Sequence, residues 1–434
     1  MEKLSVLFRL GLKYLYRYRR RYGFLVAALV VSFAVVTLIT SIKDGMYENV
    51  YYTAQSHYAG DVVALATDSR FGNRMGRDEA EMILNAALDS GVNPQYIVQR
   101  TIYMSNGVVF YNGTAVRLKY LLGCNWEEER HLIEKMNFIE KPDSSFGDDG
   151  IILSVPTANE MNARMGDSII VEVDNINGQK DTGVFIVKGI VQDSSIFGYF
   201  KAYVSRLSLN RLLGFEDDDC SSIGFFLENP AAAGRKRILL HGALPDKLQV
   251  APLANGRNEM EAARDEPFEG LKIFLYTLPV YLSEISDLLN AMNILTYFLY
   301  VMMLLVILFS AATTYRLLLH ERTREMGIMR TIGFYGGDIR LILWTEIIAL
   351  GIISLAAGFL LSLIVSRLLS LLSFSWFPSF EIFMKNGKLT AIYLPGSTLI
   401  NIASVFMILF LVTIYPSFLA SGKNLPDLLS GEPL

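Results

Sequence analysis

Four histidines, His57, His131, His241 and His320, have the side chains best suited to metal ligation or proton transfer near neutral pH, and they lie far apart in the chain. His131-x-x-Glu134 lacks the second histidine of a helical zinc site, so the pair is expected on a solvated helix face. The acids Glu216 to Asp219 could attract a divalent ion. They have neither the alternating ligands nor the glycine turn of a calcium loop, and read as a solvated acidic loop. Gly387-Lys388 is followed by Leu389, with Ile382 where a phosphate-binding loop needs its first glycine. The chain is therefore not expected to hydrolyse ATP, and no catalytic, cofactor or metal residue is assigned.

The informative chemistry is a charged string, Glu321 to Asp338, reading ERTREMGIMRTIGFYGGD. In a helix Glu321 and Glu325 fall four apart, while Ile328, Met329 and Ile332 form an apolar flank. One side is charged and the other can dock. Gly333, Gly336 and Gly337 break the helix, and Asp338 is expected to cap a next helix starting at Ile339.

Two long apolar runs must position this string: Leu288 to Tyr315, free of charge, and Leu341 to Ser366, interrupted only by Glu346. With Tyr22 to Ile42 and Ser397 to Tyr415 they make four stretches long enough to span a bilayer as helices, which needs about 20 apolar residues. A chain of 434 residues with 52% hydrophobic residues is too apolar for an ordinary soluble protein yet far from all membrane. The expected fold is an α-helical membrane protein with four transmembrane helices and a large mixed α/β extracytoplasmic domain between helices 1 and 2. The boundaries are an interfacial basic amphipathic helix at 1–21, spans at 22–42, 288–315, 341–366 and 397–416, the domain at 43–287, a cytoplasmic loop at 316–340, a short external loop at 367–396 and a cytoplasmic tail at 417–434.

Before the first span, Lys3, Arg9, Lys13, Arg17, Arg19, Arg20 and Arg21 alternate with Leu4, Leu7, Gly11, Tyr14, Leu15 and Tyr18. That pattern fits a helix lying in the headgroup layer against membrane lipids. The 21-residue apolar run is too long for a cleaved signal peptide and is read as a retained anchor. Residues 44–287 hold 22 Lys+Arg against 35 Asp+Glu, whereas the rest hold 17 against 8. Positive residues cluster before span one and between spans two and three, which places both segments and both termini in the cytoplasm and residues 44–287 outside. Cys124 and Cys220 both fall in that outer part, where an oxidising compartment permits a disulfide; the sequence leaves their pairing open.

Within the insertion, Arg77 to Ser90 reads as a helix closed by Gly91, and Tyr96 to Val109 as strands turning at Asn106-Gly107. Ile151 to Leu153 is expected as a strand, Pro156 to Met165 as a helix, and Ser168 to Asp174 with Val184 to Gln192 as paired strands. Tyr203 to Leu213 reads as a helix. Arg235 to Pro279 shows no clear period, and Val280 to Leu289 is helical. In span three, Ser354, Gly358, Ser362 and Ser366 recur every four residues, a ridge of small side chains that another helix can approach closely. Glu346 lies six residues past Arg340, near the cytoplasmic headgroups, and is expected to pair with an arginine or a cytoplasmic subunit.

The string from Glu321 to Gly333, followed by Glu346, Gly351 and Gly358, resembles the loop and third membrane helix of FtsX/MacB-type ABC permeases. Gly123 to Arg130, Asp148 to Leu153, Met165 to Ser168 and Val187 to Val191 resemble landmarks of the periplasmic domain in the LolC/LolE lipoprotein-release permeases, a mixed α/β domain with porter-like and sabre-like lobes. Asn424 to Leu429 resembles the family's closing segment, but Ser417, Phe418 and Leu419 replace its usual basic residues and leave only Lys423.

The resemblance implies a non-catalytic permease in the bacterial inner membrane. Glu321, Arg322, Arg324, Glu325, Gly327, Ile328, Met329, Arg330 and Gly333 would form the helix that seats in an ABC ATPase dimer, which binds the ATP and Mg. It further implies a second permease copy or paralogue, a lipoprotein or other amphiphilic cargo, a periplasmic carrier and no nucleic acid. The implied function is lipoprotein release driven by mechanotransmission; a MacB-like efflux permease and an FtsX-like regulator of a cell-wall hydrolase are the alternatives.

Overall fold

The computed structural model describes residues 9–10, 13–17, 19–104, 106–140, 146–193, 198, 200–374, 378–385 and 387–422. Lys3, Leu4, Leu7, Gly11 and Tyr18 of the basic N-terminal pattern, and Lys423 with Asn424 to Leu429 of the tail, lie outside the described residues. The chain divides into two compact units. One comprises Met1–Met46, Asn290–Ser373 and Lys388–Leu434, the other Tyr47–Leu289 and Phe374–Gly387.

The first unit is built on residues 19–46 of α1 (Arg19–Tyr58), residues 290–321 of α2 (Ser286–Glu321), the short α3 (Thr323–Thr331), α4 (Gly336–Leu369) and α5 (Pro395–Gly422). Among the described residues, all of these but α3 are long and apolar enough to cross a membrane. The helices outrun the apolar runs expected from sequence. α1 continues unbroken for 16 residues past Ile42, and its last 12 residues belong to the second unit.

Burial in the helical unit follows steps of three and four. Leu25, Leu29 and Phe33 of α1 meet Ile307, Ala311, Tyr315 and Leu319 of α2, Leu343, Ile347 and Leu350 of α4, and Val405, Leu409 and Val412 of α5. Lipid is as apolar as these side chains, so polar pairs and close packing must add specificity. Asn401 Nδ2 donates to Thr40 Oγ1 at 2.8 Å, and Tyr300 OH to Ser404 Oγ at 2.9 Å, tying α5 to α1 and α2.

In the second unit the strands are β1 (Val62–Asp68), β2 (Tyr96–Met104), β3 (Val108–Tyr111), β4 (Thr114–Arg117), β5 (Tyr120–Cys124), β6 (Phe138–Glu140), β7 (Gly150–Ser154), β8 (Ser168–Asp174), β9 (Lys180–Val191), β10 (Lys201–Ser205), β11 (Ser222–Phe226), β12 (Gln249–Val250) and β13 (Leu271–Thr277). They form one mixed sheet in the order β12-β13-β1-β11-β2-β5-β10-β7-β9-β8-β3-β4, with β6 against β9. Two cores divide it. Val62, Ala64, Ile223, Phe225 and Leu275 pack with Ala80, Ile83 and Leu240 from two helices. Val109, Ile151, Leu153, Ile169, Val171 and Val187 pack with Ala158, Leu209 and Leu213. These are the two largest of several apolar clusters along a single hydrogen-bonded path of strands.

Several expectations are corrected. β2 and β3 do not pair across Asn106-Gly107; β2 pairs with β11 and β5, and β3 with β4 and β8. The hairpin turn is the next Asn-Gly, at Asn112 (φ 47°) and Gly113 (φ 81°), the positive pair a two-residue turn between twisted strands demands. Tyr203 belongs to β10, and its helix begins only at Arg206. The stretch after Arg235 holds the helices Ala233–Ala243 and Arg257–Asp265 and strands β12 and β13. Its parallel β12–β13 pairing has no local turn signal.

Candidate functional site

α3 is separated from α2 by a single break at Arg322 and ends in hydrogen bonds that stop a helix cleanly. Gly333 N–H donates to Arg330 O at 3.1 Å and Phe334 N–H to Met329 O at 3.1 Å, with Gly333 at φ 103°. That left-handed position favours glycine and makes the paired closure possible. α4 starts three residues earlier than expected, at Gly336. Asp338 therefore sits inside its first turn and reaches back, accepting Tyr335 N–H at 3.0 Å.

Arg322 forms the centre of the site. It is 4% exposed, and its Nη1 and Nη2 donate to Glu346 Oε2 at 2.6 Å and Oε1 at 3.1 Å. Tyr22 OH donates to Glu346 Oε2 at 2.8 Å and accepts from Arg322 Nη1 at 3.1 Å. Tyr14 lays its ring 4.9 Å from the guanidinium carbon, and Glu325 lies 3.6 Å from Nε. One guanidinium thus joins the N-terminal segment, α1, α4 and the residue that leads into α3. Charges removed from water persist only when paired in this way. Arg322 was assigned to an ATPase-facing surface by sequence, yet its geometry is that of an internal anchor.

The other nine-residue-helix positions divide by face. Met326 enters the main helical core, Met329 packs with Ile342 beside Tyr14 and Phe334, and Gly327 is buried. Glu325 and Arg330 are half-buried, while Glu321, Arg324 and Gly333 are exposed. Ile328, Ile332 and Tyr335 are 47%, 73% and 76% exposed. Ile328 and Ile332, four apart at the end of α3, are exposed together, whereas Tyr335 lies beyond the turn at Gly333, at the start of α4. Sequence periodicity put Met329 with Ile328 and Ile332, since composition alone cannot say which apolar flank meets α4.

Ser354, Gly358 and Ser362 are buried within the chain, and Ser366 is half-buried. A Cβ on Gly358 would lie 2.8 Å from Val30 O and 3.1 Å from Phe33 Cδ1. Gly358 is therefore packed against α1 of the same chain. Gly358→Leu should destabilise the helical unit by about 1–3 kcal/mol through overpacking. Melting of the purified chain checks this, and an unchanged melting temperature would show that α1 does not sit against Gly358.

A second anchor lies wholly in the α/β unit, where α1 ends. Arg100 of β2 is 1% exposed; its Nε and Nη2 donate to the Glu129 carboxylate at 2.7 and 2.6 Å. Its Nη1 donates to Ser56 O at 3.0 Å and His57 O at 2.9 Å, the carbonyls of the last turn of α1. A cation there also meets the negative end of the helix dipole.

The candidate chemical groups are absorbed by packing. His131 is not on a solvated face: it stacks on Tyr96 at 4.0 Å and meets Phe226 edge-on, and burial holds its pKa down. Asp219, expected in a solvated loop, is 2% exposed and accepts from Arg74 Nε at 2.6 Å. Cys124 and Cys220 are free, buried thiols, and burial pushes the Cys220 thiol up to about 12.

Residues 297–425 match the family model described as FtsX-like permease C-terminal. This part of the chain is similar to that domain. It contains the whole of α3, Arg322, Glu346 and Gly358. No curated relative matches the chain by sequence. Among solved structures, the extracellular domain of the noncanonic ABC-type transporter YknZ from Gram-positive bacteria is similar at 14% identity, covering 49% of this chain and 98% of that one, with a TM-score of 0.30. The periplasmic region of MacB from Actinobacillus actinomycetemcomitans is similar at 11% identity, covering 54% and 96%, with a TM-score of 0.29.

Proposed function

We propose that this chain is the membrane subunit of an ABC transporter, in which a separate ATPase dimer seats on α3 and its ATP-driven closure moves the spans. The observation that carries this is the exposure of Ile328 on α3 and of Ile332 at its end, with the segment held by the buried Arg322, inside the stretch that matches the FtsX-like family. A docking face must be apolar enough to bind and firm enough to transmit force, and α3 has both properties. The residues proposed to touch the ATPase are Glu321, Arg324, Ile328, Ile332 and Tyr335. Arg322, Gly327 and Met329 act from behind them.

The charge bias of the sequence supports a cytoplasmic α3 and an external α/β unit in a bacterial inner membrane. Phe374–Gly387, from the connection between α4 and α5, belongs to the α/β unit, which accords with the connection and the domain sharing one side. The sequence landmarks at Gly123 to Arg130 and Val187 to Val191 favour release of a lipid-anchored protein, an amphiphile handed to a periplasmic carrier. A second permease copy or paralogue would have to meet lipid-facing surfaces such as Ile348, Ile352 and Ile353 of α4, since Ser354, Gly358 and Ser362 are buried within the chain.

Ile328→Asp with Ile332→Asp tests the docking. Co-purification with the co-expressed ATPase should weaken at least tenfold, about 1.4 kcal/mol. Stability should move by no more than about 0.5 kcal/mol, as both side chains face outward. Unchanged ATPase binding in a folded double variant would remove α3 from the interface.

A further inference from the structure

Five cationic side chains are less than 5% exposed: Arg100, Lys201, Arg237, Lys272 and Arg322. Four have a carboxylate within ion-pair distance: Glu129 at 2.6 Å, Asp193 at 3.5 Å, Glu266 at 2.8 Å and Glu346 at 2.6 Å. Among the described residues Arg237 has none. Its Nη1 donates to Ala254 O and its Nη2 to Asn255 Oδ1 at 2.7 Å, both neutral acceptors, and its buried Nε has no acceptor. The acid that acts on it, Glu259, accepts Asn255 N–H at 2.8 Å. Burial weighs against the Arg237 charge more than Glu259 supports it, and the guanidinium pKa is held down. A buried cation left this way is costly unless something negative joins it.

Arg237 lines a cavity of about 450 Å³ together with the polar Tyr51, Asn255 and Thr277 and the apolar Pro230 and Val280. Ala233 and Gly234 also line it, so the cavity sits at the positive end of the dipole of helix Ala233–Ala243.

We infer that this cavity binds a phosphate-type oxyanion, with Arg237 as its counter-charge and Pro230 and Val280 against an apolar neighbour of that group. The inference goes beyond the transport reading and needs no ATPase. Two sources carry this chemistry: a phospholipid headgroup, or free phosphate.

The test uses the full chain purified in dodecyl maltoside, titrated calorimetrically with dihexanoyl phosphatidylglycerol, with inorganic phosphate, and with dihexanoyl glycerol as the phosphate-free control. The phospholipid should bind and the control should not. Tighter binding of phospholipid than of phosphate assigns the headgroup; equal binding assigns the free ion. Arg237→Gln should weaken either ligand at least tenfold. Should that variant fail to fold, Ala231→Glu, which adds an acid at an exposed rim position, should give the same loss. No binding of either phosphate compound, equal binding of the control, or unchanged affinity in a folded variant would overturn the inference.

Discussion

Exchanging Glu346 for glutamine should cost the helical unit about 3–5 kcal/mol of stability, as expected when one partner of a buried ion pair is removed. The carboxylate accepts two N–H groups of Arg322 and the hydroxyl of Tyr22, all three buried. An amide supplies one oxygen for these donors and points its own N–H groups at a guanidinium. The Arg322 charge would then sit unpaired, with the half-exposed Glu325 at 3.6 Å as its nearest other acid. Arg322→Met should cost a similar amount by stranding the carboxylate. The double exchange Arg322→Met with Glu346→Leu should recover most of the loss, because apolar side chains of similar volume leave no charge buried. Denaturation of all four proteins checks the cycle. Strict additivity of the two single losses would mean that the pair is not coupled. In the transport reading the double variant is also informative: a stable chain whose α3 docks but no longer stimulates turnover would mark Arg322 as the mechanical link.

Arg100→Met should be comparably severe, again about 3–5 kcal/mol, since it strands the buried Glu129 and uncovers the carbonyls of Ser56 and His57 together. The loss should be local in character. Hydrogen exchange should accelerate over Tyr47 to Tyr58, the last turns of α1, more than in the strands around Ile151 and Val171. Arg77→Ala serves as the control. Arg77 pairs with Glu81 at 2.9 Å with both side chains more than half exposed, so water screens the contact and its loss should change little. Equal effects of the two exchanges would show that Arg100 does not hold the helix end.

Both anchors lay outside the reach of sequence reasoning for the same reason. Tyr22, Arg322 and Glu346 come from three segments up to 324 positions apart, and nothing in local spacing says that they meet. Glu346 was legible as an acid in need of an arginine, because an isolated charge in an apolar run demands a partner. Which arginine it takes depends on how α1, α2 and α4 pack. The spans themselves were legible, since apolar length is read directly from composition, and so was the break at Gly333. The face of α3 was only half legible: Ile328 and Ile332 are exposed as the apolar flank required, but Met329 turns inward against Ile342. In the α/β unit, short-range signals succeeded at Arg77 to Asp89 and at the β8–β9 pair. They failed where two candidates competed, as with Asn106-Gly107 and Asn112-Gly113, because register across a sheet is decided by distant strands. At Gly358 the approaching helix is α1, and periodicity cannot name the helix that fills such a place.

The lever proposed here requires α3 and the α/β unit to be on opposite sides of a membrane. Single cysteines at Ile332 and Val184, both exposed, in a chain whose Cys124 and Cys220 are replaced by alanine, measure this with a membrane-impermeant maleimide. In intact spheroplasts the cysteine at 184 should label and the one at 332 should not, and in inverted vesicles the pattern should reverse. Labelling of both positions from the same side would contradict the account.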